Sequence, residues 1–137
     1  MDNQHYNHYS KFPMDKWVWE DFTPGEIASR TVVDNRRGPK GPLLINTRAM
    51  DMLQALRDIL DIPMYINSAY RSPEYNRFIG GASRSKHMEG IAFDVSMHNH
   101  NVGAFVSVAK KVGFNGIGYY NTFTHIDARN TEAEWFG

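Results

Sequence analysis

Cysteine is absent from all 137 residues. Disulfides, thiolate metal sites and cysteine nucleophiles are thereby excluded. Net charge is absent as well, because fifteen acidic residues balance fifteen basic ones. Nucleic-acid binders normally carry a basic excess or a basic face, so no nucleic-acid partner is expected. No run of about 18 apolar residues occurs, so no membrane span is expected. The opening stretch MDNQHYNHYSKF lacks the charged-then-apolar layout of a secretory signal, and an activity outside the cytoplasm would need another route. Neither an internal repeat nor a heptad pattern is present, and a monomer is expected.

What remains is ordinary soluble-domain composition, 42% apolar and 22% charged, at a length that supports one core without scaffolding metals or disulfides. Residues 1–11 are polar and read as a flexible terminus, with residues 12–137 as the domain. Within that terminus, His5 and His8 read as solvated rather than ligating. Phe12, Trp17, Trp19 and Phe22 form an aromatic cluster suited to packing. Thr23-Pro24-Gly25-Glu26 has the cap, proline and glutamate of a helix start. Residues 34–42, DNRRGPKGP, read as a loop by composition, with Arg36, Arg37 and Lys40 solvated.

From Thr47 to Leu60, the residues Met50, Leu53, Leu56, Ile59 and Leu60 recur at helical spacing, and Pro63 ends the helix. MYINSAY (64–70) reads as a strand. Ser72-Pro73-Glu74 opens a short helix that ends at Gly80-Gly81. A second long helix is marked by Val102, Phe105, Val106, Ala109 and Val112 and closed by Gly113. Short strands are expected around 117–120 and 123–128, with Asn121-Thr122 as the turn. Trp135 and Phe136 are expected to pack against the domain. Helices and strand pairs interleave without a βαβ rhythm, so the expected fold class is α+β, an antiparallel sheet flanked by helices.

Two stretches carry chemistry. Residues 80–90 form a glycine- and serine-rich loop that delivers His87, and Ile91 to Ser96 follows as a strand. Ile91, Phe93 and Val95 face one side of it, while Asp94 faces the other. A carboxylate buried in mid-strand needs a partner, and a metal ion satisfies that need. Later, Phe123, His125 and Asp127 share one strand face. Two histidines and one aspartate leave a fourth position open on tetrahedral zinc, the requirement for hydrolysis. On this reading His87, Asp94 and His125 are the metal ligands. Asp127 is the candidate general base, and Arg71 is the cation for an oxyanion or a substrate carboxylate. His98 and His100, in the turn-like MHNHN, read as cap residues rather than ligands.

S-A-Y-R-S-P (68–73), S-x-H-x-x-G-x-A-x-D (85–94) and G-x-G-Y-Y…F-x-H-x-D-x-R (116–129) together resemble the zinc D-Ala-D-Ala carboxypeptidase family. The likeness runs from about Trp17 to Arg129 and is greatest to its short single-domain bacterial and phage members. The resemblance implies a small α+β domain shared with Hedgehog signalling domains, a bound Zn2+, and ligands at His87, Asp94 and His125. It also implies contacts to substrate or oxyanion from Arg71 and Ser85, with Tyr70 of the same motif a further substrate-binding candidate. The implied activity is hydrolysis of D-Ala-linked bonds in peptidoglycan stem peptides, by a carboxypeptidase or endopeptidase, with an L-Ala-D-Glu bond next. A phage lysis or virion-associated enzyme acting on the cell wall would fit. Several relatives place an acidic residue three positions before the last histidine, where this chain has Thr122. The base role then passes to Asp127. The alternative is a zinc-stabilised binding or structural module without turnover.

Overall fold

A computed structural model of the chain describes residues 3–137. Its centre is a five-stranded sheet made of β5 (Ile66–Ser68), β6 (Ala92–Ser96), β7 (Gly116–Tyr119), β8 (Phe123–Asp127) and β9 (Ala133–Phe136), in the order β5-β6-β8-β7-β9. All pairs are antiparallel except β7 with β9, which is parallel. The expected α+β domain is the one observed.

The two faces of this sheet divide the labour. Phe93 of β6, Ile126 of β8 and Ile117 of β7 are cross-strand neighbours, and they share the buried core with residues of two helices. These are α2 (Thr47–Leu60) and α4 (Val102–Val112), which pack on each other. Each such buried side chain contributes roughly 1.5–3 kcal/mol relative to exposure. One residue along, the register places Ser68, Asp94, His125, Gly118 and Trp135 side by side across all five strands. Cross-strand partners share a face, so this row lies opposite the core. It is the row that carries the chemistry.

Helix α2 has the bounds its spacing predicts. Asn46 caps it by accepting from the Ala49 amide (2.9 Å), and Asp61 ends it in the left-handed region. Ile59 departs from expectation, being 56% exposed, because the apolar stripe is wider than the face that meets the core. α1 (Pro24–Ile27) has the full Thr23–Glu26 capping box, and α3 (Pro73–Phe78) is capped by Ser72. Trp17 Nε1 donates to the Phe22 carbonyl (2.7 Å) and Trp19 Nε1 to Asp51 (2.8 Å), so the aromatic cluster packs as expected.

Three segments differ from the sequence expectation. Residues 34–42 are a hairpin arm rather than a loop: β2 (Arg30–Val33) turns through Asp34 and Asn35, both at positive φ, into β3 (Arg36–Lys40). Lys40 is not solvated as expected, since its Nζ donates to the Gly25, Glu26 and Ala28 carbonyls at 2.8–3.1 Å. Asn3–Tyr6, in the segment read as a flexible terminus, forms β1 and pairs antiparallel with β4 (Leu43–Asn46); residues 1–2 of that segment lie outside the described residues. Phe136 is 85% exposed rather than packed into the domain, although its ring stacks on Tyr119 at 4.9 Å. Among the described residues no helix is long and apolar enough to cross a membrane.

Candidate metal centre

The S-x-H-x-x-G spacing becomes one turn of 3-10 helix, Lys86–Glu89. Ser85 caps it, its Oγ accepting from the His87 amide (3.2 Å). Gly90 ends it at φ +73°, where an added Cβ would press on Leu44; glycine adopts this conformation without strain. The short turn swings the His87 ring over the sheet face. There its Nδ1 lies 2.6 Å from the Ala69 carbonyl and its Nε2 3.2 Å from Asp94 Oδ1. On the neighbouring strand His125 presents Nδ1 to the same Asp94 oxygen (3.0 Å) and Nε2 to Asp127 Oδ2 (2.7 Å).

The tautomers follow from the partners. A carbonyl only accepts, so His87 Nδ1 carries a proton; the Asp127 carboxylate only accepts, so His125 Nε2 carries one. If both rings are neutral, His87 Nε2, His125 Nδ1 and Asp94 Oδ1 all present lone pairs to one another. These three buried groups offer ligand atoms within 4.8 Å of each other. Lone pairs so close require a cation between them, either protons or a metal ion. The donor set of two imidazoles and one carboxylate suits zinc, and both histidines already have the outward hydrogen bonds that orient metal-binding rings.

Protons on the rings can supply that positive charge, and the ionisation of the cluster shows their pull. Burial alone would raise the Asp94 carboxyl, but hydrogen bonds from His125 and then His87, with their charge, hold it well below the usual carboxylate range. Burial opposes a proton on His125, yet the hydrogen bonds to Asp127 and Asp94 outweigh it and raise that imidazole.

Asp127, the expected general base, lies behind the His125 ring. It has no exposed surface. Its Oδ1 accepts from Arg129 Nε (2.8 Å), and its Oδ2 accepts from both Arg129 Nη2 (2.8 Å) and His125. It is absent from the lining of the cavity that exposes the metal donors. Strand alternation does place Asp127 beside His125, as expected, but the side chain points to the far nitrogen of that ring and holds it. Its depressed ionisation has the same origin: burial pushes it up, and the Arg129 and His125 hydrogen bonds more than reverse this.

That cavity, about 550 Å³, contains Arg71, Ser85, His87, Asp94 and His125. Arg71 donates to Ser68 Oγ (3.1 Å), Asn76 Oδ1 (3.4 Å) and Asp94 Oδ2 (3.3 Å), which places its guanidinium beside the donors. Tyr70 is not brought to them. It is buried and lines a separate hollow with Arg30 and Lys40. Thr122 is exposed and lies outside the cavity lining. His8 caps a 3-10 turn, His98 bonds Ser96 and His100 donates to the Pro63 carbonyl, all away from the donor cluster.

The opposite wall, formed by Tyr120, Phe123 and Trp135, is not assigned by the sequence reading. Trp135 Nε1 donates to Tyr120 Oη (3.0 Å), and its indole lies 5.2 Å from the His125 ring and 5.0 Å from the Arg129 guanidinium. The G-x-G motif makes the space for this. Gly118 pairs with His125 on one side and Trp135 on the other, and Gly116 pairs with Asp127. A Cβ on Gly118 would meet the indole, and one on Gly116 would meet the Asp127 carboxylate. Gly116→Ala is therefore expected to displace Asp127 and weaken metal binding by about ten-fold or more, the usual loss when a ligand's supporting contact is disturbed. Titration against a chromogenic chelator reads this directly; unchanged affinity would show that the glycine has no such role.

Comparison with known proteins agrees with this geometry. A family model described as Peptidase M15 matches residues 20–127, a span that includes all three donors and ends before β9. A zinc D-Ala-D-Ala carboxypeptidase from Streptomyces albus G is 38% identical over 80 residues, 54% of this chain. The match covers 31% of that protein, so the chain spans about a third of its relative's length.

Proposed function

The chain belongs to the M15 peptidase family, and from that premise we propose that it is a zinc-dependent peptidase cleaving D-Ala-linked bonds in peptidoglycan stem peptides. The observation that carries this reading is the convergence of His87 Nε2, His125 Nδ1 and Asp94 Oδ1 within 4.8 Å, beside Arg71 in one cavity. His87, Asp94 and His125 would hold the ion, which when bound supplies Lewis acidity and brings the pKa of water down to about 7. The activity for which the Streptomyces relative is named supports both the metal and the D-Ala-D-Ala bond.

The chain's own groups divide the remaining work. Arg71, half-buried and held by three hydrogen bonds, presents a guanidinium suited to an oxyanion or a substrate carboxylate. Ser85 contributes a hydroxyl to the cavity wall, suited to a substrate backbone group. The Tyr120–Phe123–Trp135 wall excludes water from one side and offers a flat apolar surface. Asp127 acts through His125, fixing its tautomer and orientation. A role in wall degradation at phage lysis, or on a virion, is part of the same reading and rests on the likeness to short bacterial and phage members.

One observation favours a second reading. Among the described lining residues Asp94 is the only carboxylate, so no separate carboxylate stands ready to take a proton from water. A zinc-stabilised binding module without turnover has the same donors and does not need that base.

Digestion of purified peptidoglycan and of a stem pentapeptide, read by mass spectrometry with and without chelator, separates the two. Release of terminal D-Ala, or loss of crosslinked dimers, that stops with chelator and returns with zinc is the expected result. Intact substrate in the presence of stoichiometric zinc would overturn the peptidase reading in favour of the binding module.

A further inference from the structure

The cavity over the metal donors does not end at its basic side. Lys86 and Arg129 line it, and the same two side chains line a second hollow of about 670 Å³ beyond them. Arg129 is held in place by its two-pronged bond to Asp127 and by the Trp135 ring. Lys86 pairs with Glu89 on the helix surface (3.0 Å), a contact type worth little and easily exchanged. The two hollows thus meet at a saddle of two cations, one fixed and one free to change partner.

The second hollow is a groove lined by both apolar and polar groups. Leu44, Met88 and Ile91, all half-buried, give it an apolar floor. Asn130 supplies an exposed amide at the rim. Arg48, exposed at the start of α2, is steadied over the groove by a long bond from Nη2 to the Ala128 carbonyl (3.4 Å). Among the described lining residues three cations, Arg48, Lys86 and Arg129, face one carboxylate, Glu89. Such a surface favours an anionic occupant.

We infer that this groove is a second subsite for the same substrate chain, and that it binds a side-chain or backbone carboxylate carried by an acidic peptide at a distance from the scissile bond, with Arg48 as the reading residue. The inference deepens the peptidase reading of the site and rests on it for the identity of the chain that crosses the saddle. Its physical content is a length- and charge-dependent preference. A short peptide fills the donor cavity only, whereas a longer acidic one also gains a guanidinium–carboxylate bond beyond Lys86 and Arg129.

Three probes test it: a tripeptide ending in D-Ala-D-Ala, a pentapeptide with the same end and a free glutamyl carboxylate, and that pentapeptide with the carboxylate converted to carboxamide. The zinc-loaded protein is expected to show kcat/KM about ten-fold higher for the acidic pentapeptide than for the other two, the size of one charged hydrogen bond. Arg48→Gln, which removes the charge and leaves a shorter neutral amide, should erase that preference and leave tripeptide turnover unchanged. Anisotropy of the labelled pentapeptides on metal-stripped protein gives a readout independent of turnover: the acidic form should bind about ten-fold more tightly than the amide, and Arg48→Gln should remove the difference.

Equal handling of the acidic and amidated peptides, or an Arg48→Gln effect as large on the tripeptide, overturns the inference while the peptidase reading stands. If nothing is cut but the acid preference in binding remains and depends on Arg48, the groove stands and the peptidase reading falls. If nothing is cut and no preference is seen, both fall.

Discussion

Asp94→Asn is expected to abolish stoichiometric metal binding and every activity that depends on it. The substitution keeps the shape of the side chain and removes the one charge on which His87, His125 and Arg71 converge at 3.0–3.3 Å. An amide in that position offers a weaker ligand, and the Arg71 guanidinium loses its counter-charge in a largely buried setting. Breaking a buried pair by removing one partner costs on the order of 3 kcal/mol, so the metal-free variant should also unfold at lower denaturant. The pH profile gives an internal check on metal-free protein. The folded Asp94 carboxyl titrates below its unfolded value near 4, so the unfolded state takes up the proton first. The stability due to Asp94 is therefore present above about pH 4 and lost as the solution becomes more acidic. Asp94→Asn should remove that component of the acid sensitivity. Metal content after dialysis and urea midpoints across pH measure both effects; a variant that still binds one equivalent of zinc would contradict the assignment.

Asp127→Asn distinguishes a positioning residue from a base. Asp127 has no exposed surface, both its oxygens are engaged by Arg129 and His125, and it lies outside the cavity lining. An asparagine can accept from His125 or from Arg129, but its amide nitrogen must then face a second donor. The His125 ring loses its fixed tautomer, and metal affinity should fall about 10–100-fold, as for other supporting carboxylates. The consequence for turnover is specific. If Asp127 only holds His125, activity measured against rising zinc should recover substantially at saturation. If it is the proton acceptor, activity should stay lost however much zinc is bound.

Much of this could be read from the residues themselves, for identifiable reasons. The donors were legible because H-x6-D and H-x-D each combine a rare residue type with a spacing that places it on a strand face or beside one. The helices α2 and α4 were legible because apolar residues three and four apart over three or more turns line up on one face of a helix and scatter over both faces of a strand. The strand β1, NQHY, was not, since three of its four residues are exposed and an edge strand with no buried face leaves no alternation to detect. β3 was hidden behind the glycine and proline of RRGPK, and β9 behind its short length and parallel pairing. The part played by Asp127 was half legible. Period-two alternation puts it on the His125 face, but only the atoms show that it meets Nε2, the nitrogen turned away from Asp94. Trp135 became readable as a site residue only through the register that sets it beside Gly118 in the same row as Asp94 and His125.

Long-range proton–nitrogen NMR of the imidazoles during a zinc titration tests most directly which nitrogen of each histidine faces the ion. One equivalent of zinc is expected to shift Nε2 of His87 and Nδ1 of His125, with protons retained on His87 Nδ1 against the Ala69 carbonyl and on His125 Nε2 against Asp127. His5, His8, His98 and His100 should be unmoved. Zinc that left the His87 and His125 rings unchanged, or perturbed the other histidines in their place, would contradict the metal centre and everything built on it.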